Sequence, residues 1–226
     1  MKTFHLSRLA KLTMLSLVAV SCLAWATQPA RAVLMSPGDS ILGSPEAKPD
    51  PLSTLVDSLS SPFSTSNYSG VVDSIVLSGD STNKLGGLTF VYALSNDAGS
   101  KNVLERLTVL GFAGMTVDVS YNPVLPPVGV APSIMDRSPG SGDTIGWQFV
   151  GPPLSPAGYL DPGDNSYYLV VQTGVQNYTR GVANAIDGVS TSVAALVPVP
   201  EPASVALAAL GAAGLGLVMV RSRRRK

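Results

Sequence analysis

Between residues 68 and 197 apolar and polar side chains alternate with a period of two, most clearly in Met115-Thr116-Val117-Asp118-Val119-Ser120-Tyr121. Successive side chains of an extended chain point to opposite faces. Met115, Val117, Val119 and Tyr121 therefore share one face, and Thr116, Asp118 and Ser120 the other. That pattern predicts a half-buried strand. Similar segments at 71–78, 88–94, 103–110, 144–150 and 167–173, with a weaker one at 189–197, predict six or seven short strands in all. Gly and Pro clusters separate them, and residues 122–143, with five prolines, read as a long loop. No helical stretch intervenes, so the pattern argues for a single antiparallel β-sandwich of immunoglobulin or jelly-roll type rather than alternating βαβ units, with a partly closed barrel as the alternative. Trp147, Phe149, Phe90, Phe112, Leu169 and Val171 are its expected core.

The flanks follow other rules. Residues 33–67 hold Pro37, Pro45, Pro49, Pro51 and Pro62 among many Ser, Asp and Gly, and read as a linker-like lead with one helical turn around Leu52, Leu55, Val56 and Leu59. Residues 1–32 open with Lys2, Arg8 and Lys11, continue with the apolar run 12–26, and end in small residues, the three-part pattern of a secretory signal. Of two small-x-small sites, Ala24-Trp25-Ala26 and Ala30-Arg31-Ala32, the second is preferred and leaves Val33 as the new N-terminus. The alternatives are a lipoprotein box ending at Cys22 and an uncleaved anchor. Residues 203–220 are eighteen positions without a charge, about 27 Å as a helix and just enough to span a bilayer. Arg221, Arg223, Arg224, Arg225 and Lys226 follow, and positive charge beside a span stays on the cytoplasmic side. The body would then lie on the far face.

Charge sharpens this division. The chain carries 15 basic and 15 acidic residues. Residues 33–200 keep six bases against fourteen acids, a net charge of −8. Such a body is not expected to bind nucleic acid, which needs clustered Lys and Arg. The lone His5 and Cys22 both precede it. Ser-His-Asp and Cys-His nucleophilic sites, and zinc sites with His or Cys ligands, therefore cannot be built there. No enzyme activity, cofactor or metal is expected.

Just before the apolar run stands Val197-Pro198-Val199-Pro200-Glu201-Pro202. Prolines keep this stretch extended and outside any helix, where a membrane-embedded enzyme can reach it. Pro-Glu-Pro, then an apolar span, then an Arg-rich end resembles the PEP-CTERM sorting signal of bacterial envelope and extracellular proteins. The resemblance implies that residues 198–226 are a sorting signal handled by an exosortase-type processing enzyme. It assigns Pro200, Glu201 and Pro202 to recognition, the span 203–220 to retention in the inner membrane, and Arg221, Arg223, Arg224, Arg225 and Lys226 to the stop.

Residues 68–197 offer three candidate chemistries, each beside a plainer reading. Asp161, Asp164 and Asn165 offer oxygens for calcium, but in a Pro-Gly loop such residues more simply make a turn. Glu105 is one half of a conceivable glycosidase carboxylate pair, and more simply a strand's outer face. The tyrosines Tyr68, Tyr92, Tyr121, Tyr159, Tyr167, Tyr168 and Tyr178 would suit sugar stacking, with Tyr167 and Tyr168 on opposite faces of one strand. The expectation is an exported structural or adhesive protein of the envelope or extracellular matrix. A carbohydrate-binding module of an exopolysaccharide matrix is the alternative, and predicts exposed aromatics gathered on one sheet or loop end.

Overall fold

A computed structural model describes residues 34–43, 45–126, 129–150 and 158–199. The signal segment 1–32, the apolar run 203–220 and the basic end lie outside these residues. Every element described is a strand: β1 (Ser40–Leu42), β2 (Thr54–Ser64), β3 (Ser69–Ser78), β4 (Thr89–Asn96), β5 (Arg106–Leu110), β6 (Val117–Asn122), β7 (Ile134–Arg137), β8 (Thr144–Gln148), β9 (Tyr168–Thr173), β10 (Tyr178–Asp187) and β11 (Val189–Pro198). They form two antiparallel sheets, ordered β1-β7-β8-β5-β10-β11 and β2-β3-β4-β9-β6. The expected all-β body of antiparallel strands is therefore what the chain builds.

One core joins the sheets. Phe90, Phe112, Trp147, Phe149, Leu169 and Val171, the six residues expected there, are all fully buried. Phe90 meets Phe112 edge-on, and Tyr92 lies tilted against Trp147 with ring centroids 5.9 Å apart. In the same sheet as Trp147, β10 supplies only small inner residues, Ala183 and Ala185, so the core combines large side chains with small ones.

Three departures from the sequence reading have physical causes. Residues 33–67 are not a linker with a helical turn: they supply β1 and the eleven-residue β2. Pro62 is tolerated because β2 is an edge strand, where a missing N–H costs no ladder bond. The long loop 122–143 contains β7, whose Met135 and Arg137 point inward and are buried. Finally, β10 was not foreseen, because its larger apolar residues, Val182 and Ile186, lie on the face opposite the buried Ala183 and Ala185. That inverts the alternation a half-buried strand normally shows.

The outer face of the five-stranded sheet is covered over β6, although it stays open over β2 and β3, where Asp73 is exposed. All six residues of β6 are buried, Asp118 and Ser120 included, although alternation had put these two outside. The lead runs along and over this strand. Met35 N donates to Val117 O (3.1 Å), Glu46 N donates to Tyr121 O (2.9 Å), and isolated bridges join Leu34 to Asp118 and Pro45 to Tyr121. The lead thereby occupies a sheet edge that would otherwise be an open template for another chain.

Candidate functional site

The region nearest the sorting signal is the end of β11. Its last four residues, Ala195 to Pro198, are buried, whereas its first residues are exposed. Polar bonds fix them across to the other sheet: Leu196 N donates to Ser74 Oγ (3.0 Å) and Tyr92 Oη donates to Leu196 O (2.8 Å). Burial raises the Tyr92 phenol well above its ordinary pKa, so it stays a neutral donor. Glycines make the room. A Cβ on Gly181 would sit 2.5 Å from Val197 Cγ2, and Gly111, at φ +119°, brings its backbone against the same side chain. Beyond the strand, Val199 N donates to Asn177 O (3.0 Å). The chain thus remains attached to the body up to the residue before Pro200.

A second feature lies on the outer face of the sheet β2-β3-β4-β9-β6. A half-open groove of about 400 Å³ runs over Ser60, Asp73, Ala93, Ser95, Asn165 and Tyr168. Register explains its floor: Ser60 pairs with Asp73 and Asp73 with Ala93, so small side chains lie in a row between bulkier neighbours. Tyr168 is half-buried at its side, and burial together with the nearby Asp73 charge raises its phenol pKa. The floor offers hydroxyls, one carboxylate and one ring.

Between the groove and the exit of β11 lies a buried polar layer that sequence reasoning missed. Lys48 Nζ is 2.8 Å from Asp118 Oδ2 and also contacts Glu46. Burial pushes the Glu46 carboxyl above its ordinary value, against the pull of Lys48. Nearby, Asp80 accepts from Thr89 Oγ1 (2.7 Å), Gln172 Nε2 (2.8 Å), Thr82 Oγ1 (2.7 Å) and the Asp50 amide (3.0 Å). Burial works to raise the Asp80 pKa, but these donors outweigh it and hold the carboxyl below its ordinary value. Arg137 clamps the lead to two loops, donating to the carbonyls of Met35 (2.6 Å), Gly142 (2.9 Å), Phe112 (3.0 Å) and Met115 (2.7 Å). No short-range motif announces such a layer, since its members come from the lead, the turn after β3 and four strands.

The weighed chemistries find these places. Asp164 Oδ2 accepts from the Asp161 amide (3.2 Å) and Asp164 N donates to Asp161 O (2.9 Å), which is a turn built from its own carboxylate. Among the described residues no group of three or more His, Cys, Asp and Glu is arranged to hold a metal. Glu105 stands just before β5, its backbone bonded to Ile186 and Phe149. The tyrosines disperse: Tyr68, Tyr92 and Tyr121 are buried, Tyr121 stacks on Tyr167 at 5.9 Å, and among the described residues only Tyr159 is exposed. They make no stacking platform there. Pro200, Glu201, Pro202, Arg221, Arg223, Arg224, Arg225 and Lys226 lie outside the described residues.

Comparison with known proteins adds the decisive observation at the C-terminus. The family model of the PEP-CTERM protein-sorting motif matches residues 198–225, and the match begins on the last residue of β11. Neither the curated proteins nor the solved structures yield a match to the chain. The motif implies processing by an exosortase, with export and a membrane-associated precursor stage before it. The chain carries a PEP-CTERM protein-sorting motif, joined without a spacer to the final strand of a two-sheet body.

Proposed function

We propose that this chain is a non-enzymatic structural or adhesive protein of the bacterial envelope or extracellular matrix, held at the inner membrane by its tail and then released by an exosortase. Its body is read as a β-sandwich. The observation that carries the proposal is the junction at Pro198, where the sorting motif begins on a buried strand end. Cutting in or after Pro-Glu-Pro would free the body without removing any strand. An acidic body suits release, because like-charged molecules repel each other and stay dispersed in a hydrated matrix. The test is the intact mass of the mature protein recovered from envelope and medium. Loss of everything beyond the Pro200–Pro202 region supports release; retention of Arg221 to Lys226 in the membrane fraction makes the tail a permanent anchor and refutes it.

The groove beside Tyr168 favours one second reading, a carbohydrate-binding module for exopolysaccharide. Hydroxyls, a carboxylate and a ring edge over small residues are the groups a sugar would meet. Glycan-array binding by the released body, abolished by Tyr168→Ala and Asp73→Ala, would establish it. Binding unchanged by both substitutions would place any glycan site elsewhere.

A further inference from the structure

The point at which the chain leaves the body fixes which surface of the body faces the membrane. β11 is paired to its end, Pro198 opposite Tyr178, and Val199 is still bonded to Asn177. Only Pro200, Glu201 and Pro202 separate Val199 from Ala203, the first residue of the eighteen-residue uncharged run. Even fully extended, four residue steps reach only about 14 Å. The body is larger than that: β11 alone, ten residues long, extends over about 33 Å. A body on so short a lead has no freedom to turn its far end toward the anchor point.

Other parts of the chain gather at this exit. The turn after β3 is bonded to the segment after β9, Gly87 N to Thr173 O (3.0 Å) and Leu88 N to Val175 O (2.8 Å), while Gly111 abuts Val197. The start of β2 is here too, since Thr54 pairs with the last residue of β3, Ser78. Together they present an open, partly apolar surface: Leu52 (89% exposed) and Leu55 (59%), beside a shallow basin of about 490 Å³ whose walls include Leu85, Met115 and Val175. The charges at this end, Asp50, Asp57 and Asp143 against Lys84 and Arg180, are more negative than positive. Such an end has no electrostatic reason to seek an anionic surface by itself. It touches lipid because the tail holds it there.

We propose that the exit end of the body, through Leu52, Leu55 and the basin beside Met115, rests on the phospholipid surface for as long as the tail is anchored, and leaves that surface when the tail is cut. The inference rests on the reading of residues 203–220 as a membrane anchor. It implies that the exosortase meets its recognition tripeptide in the narrow space between this surface and the bilayer.

Lipid photo-crosslinking tests it. The full chain, with Cys22→Ser and one new cysteine at a time, is exported by a bacterial host lacking an exosortase, recovered with its membranes and labelled with a benzophenone maleimide. Leu52→Cys and Thr116→Cys report the exit end. Val124→Cys and Val189→Cys report the opposite end, where Val124 and Val189 are 70% and 62% exposed. All four sites are exposed, so folding is not at stake. The expected result is at least fivefold more lipid adduct at residues 52 and 116 than at 124 and 189. Inserting twelve Gly and Ser residues between Val199 and Pro200, a flexible lead of about 20 Å, should bring that ratio below twofold. Equal adduct at both ends, in protein that stays with the membranes through carbonate extraction, overturns the inference and leaves the anchor intact. Protein stripped by carbonate, without lipid adduct at any site, overturns the anchor reading and the inference with it.

Discussion

The sheet β2-β3-β4-β9-β6 presents Phe90, Tyr92, Leu94, Leu169 and Val171 on one face, and on the other face of β4, β9 and β6 Thr89, Gln172, Asp118 and Ser120, all of them buried. The inner face is dried by apolar packing, which tolerates approximate shape and is paid in buried area. Over β4, β9 and β6 the outer face is dried by the lead and the turn after β3, which give Thr89, Asp118 and the Gln172 amide nitrogen their partners while Ser120 Oγ and Gln172 Oε1 have none. A polar side chain on the expected outer face of a strand is therefore no evidence of solvent there. Packing of the first kind degrades gradually under mutation; pairing of the second kind fails at single atoms, because an abandoned buried charge or carbonyl bears its full desolvation cost.

The harshest blow to the inner face is Trp147→Ala, which empties the fully buried position beside Tyr92 and should cost about 4 kcal/mol. Urea unfolding of the released body gives the figure, and a loss under about 1 kcal/mol would mean the core is not packed as described. Arg137→Met tests the polar side, leaving four backbone carbonyls without their donor, for about 3 kcal/mol. Arg137→Lys should recover less than half of that, since an ammonium lacks the planar fork. Hydrogen exchange should locate the damage at Met35, Phe112 and Met115.

Lys48→Met is the sharper test of the contrast, because it adds apolar surface and still should destabilise. At neutral pH it removes the ammonium that faces the buried Glu46 and Asp118 carboxylates, for about 2 kcal/mol. The deficit should shrink as pH falls toward 5, since Glu46, already raised by burial above its ordinary value, can then take up a proton. Replacing all three by apolar residues, Glu46→Leu, Lys48→Met and Asp118→Leu together, should come within about 1 kcal/mol of the parent.

The smallest effects are in the acid pH profile of the unaltered body, where two groups pull oppositely. Asp80 is held below its ordinary value of 3.8, so its contribution is complete above that pH and is lost as pH drops through the folded pKa. Glu46 is raised above its ordinary 4.5, so the folded state holds its proton longer, and its effect is to lower stability as pH rises through the window above 4.5. Asp80→Asn should remove the loss below about pH 4, and Glu46→Gln should flatten the profile just above 4.5. Urea midpoints at half-unit pH intervals resolve both; an Asp80→Asn profile parallel to the parent below pH 4 would show that Asp80 is not the group responsible.

How much of this was legible in the sequence follows from the same contrast. Strands whose inner residues are large and whose outer residues are polar announce themselves by period two, and the core residues around Trp147 were readable for that reason. Ala183 and Ala185 hide β10, because small residues facing the core leave no hydrophobic alternation. Pro62 disguises β2 as linker, because only its edge position makes the proline harmless. The polar layer was hidden more deeply. Lys48 and Asp118 are 70 residues apart, and Asp80 and Gln172 are 92 apart, so no local pattern links them. Conversely, the sorting motif was readable because its parts are contiguous, in a fixed order within residues 198–225.

The lead also sets the order in which an exported chain can finish folding. Met35 emerges early, yet its carbonyl waits for Arg137, 102 residues later, and Lys48 waits for Asp118. Contacts that distant cannot form on a chain still threading a narrow pore. The strand that closes the body against Tyr92 and Ser74 is also the one that runs into Pro-Glu-Pro. The last strand to complete the fold therefore carries the first residue of the sorting motif, so the body closes only when the segment that leads into that motif is in place.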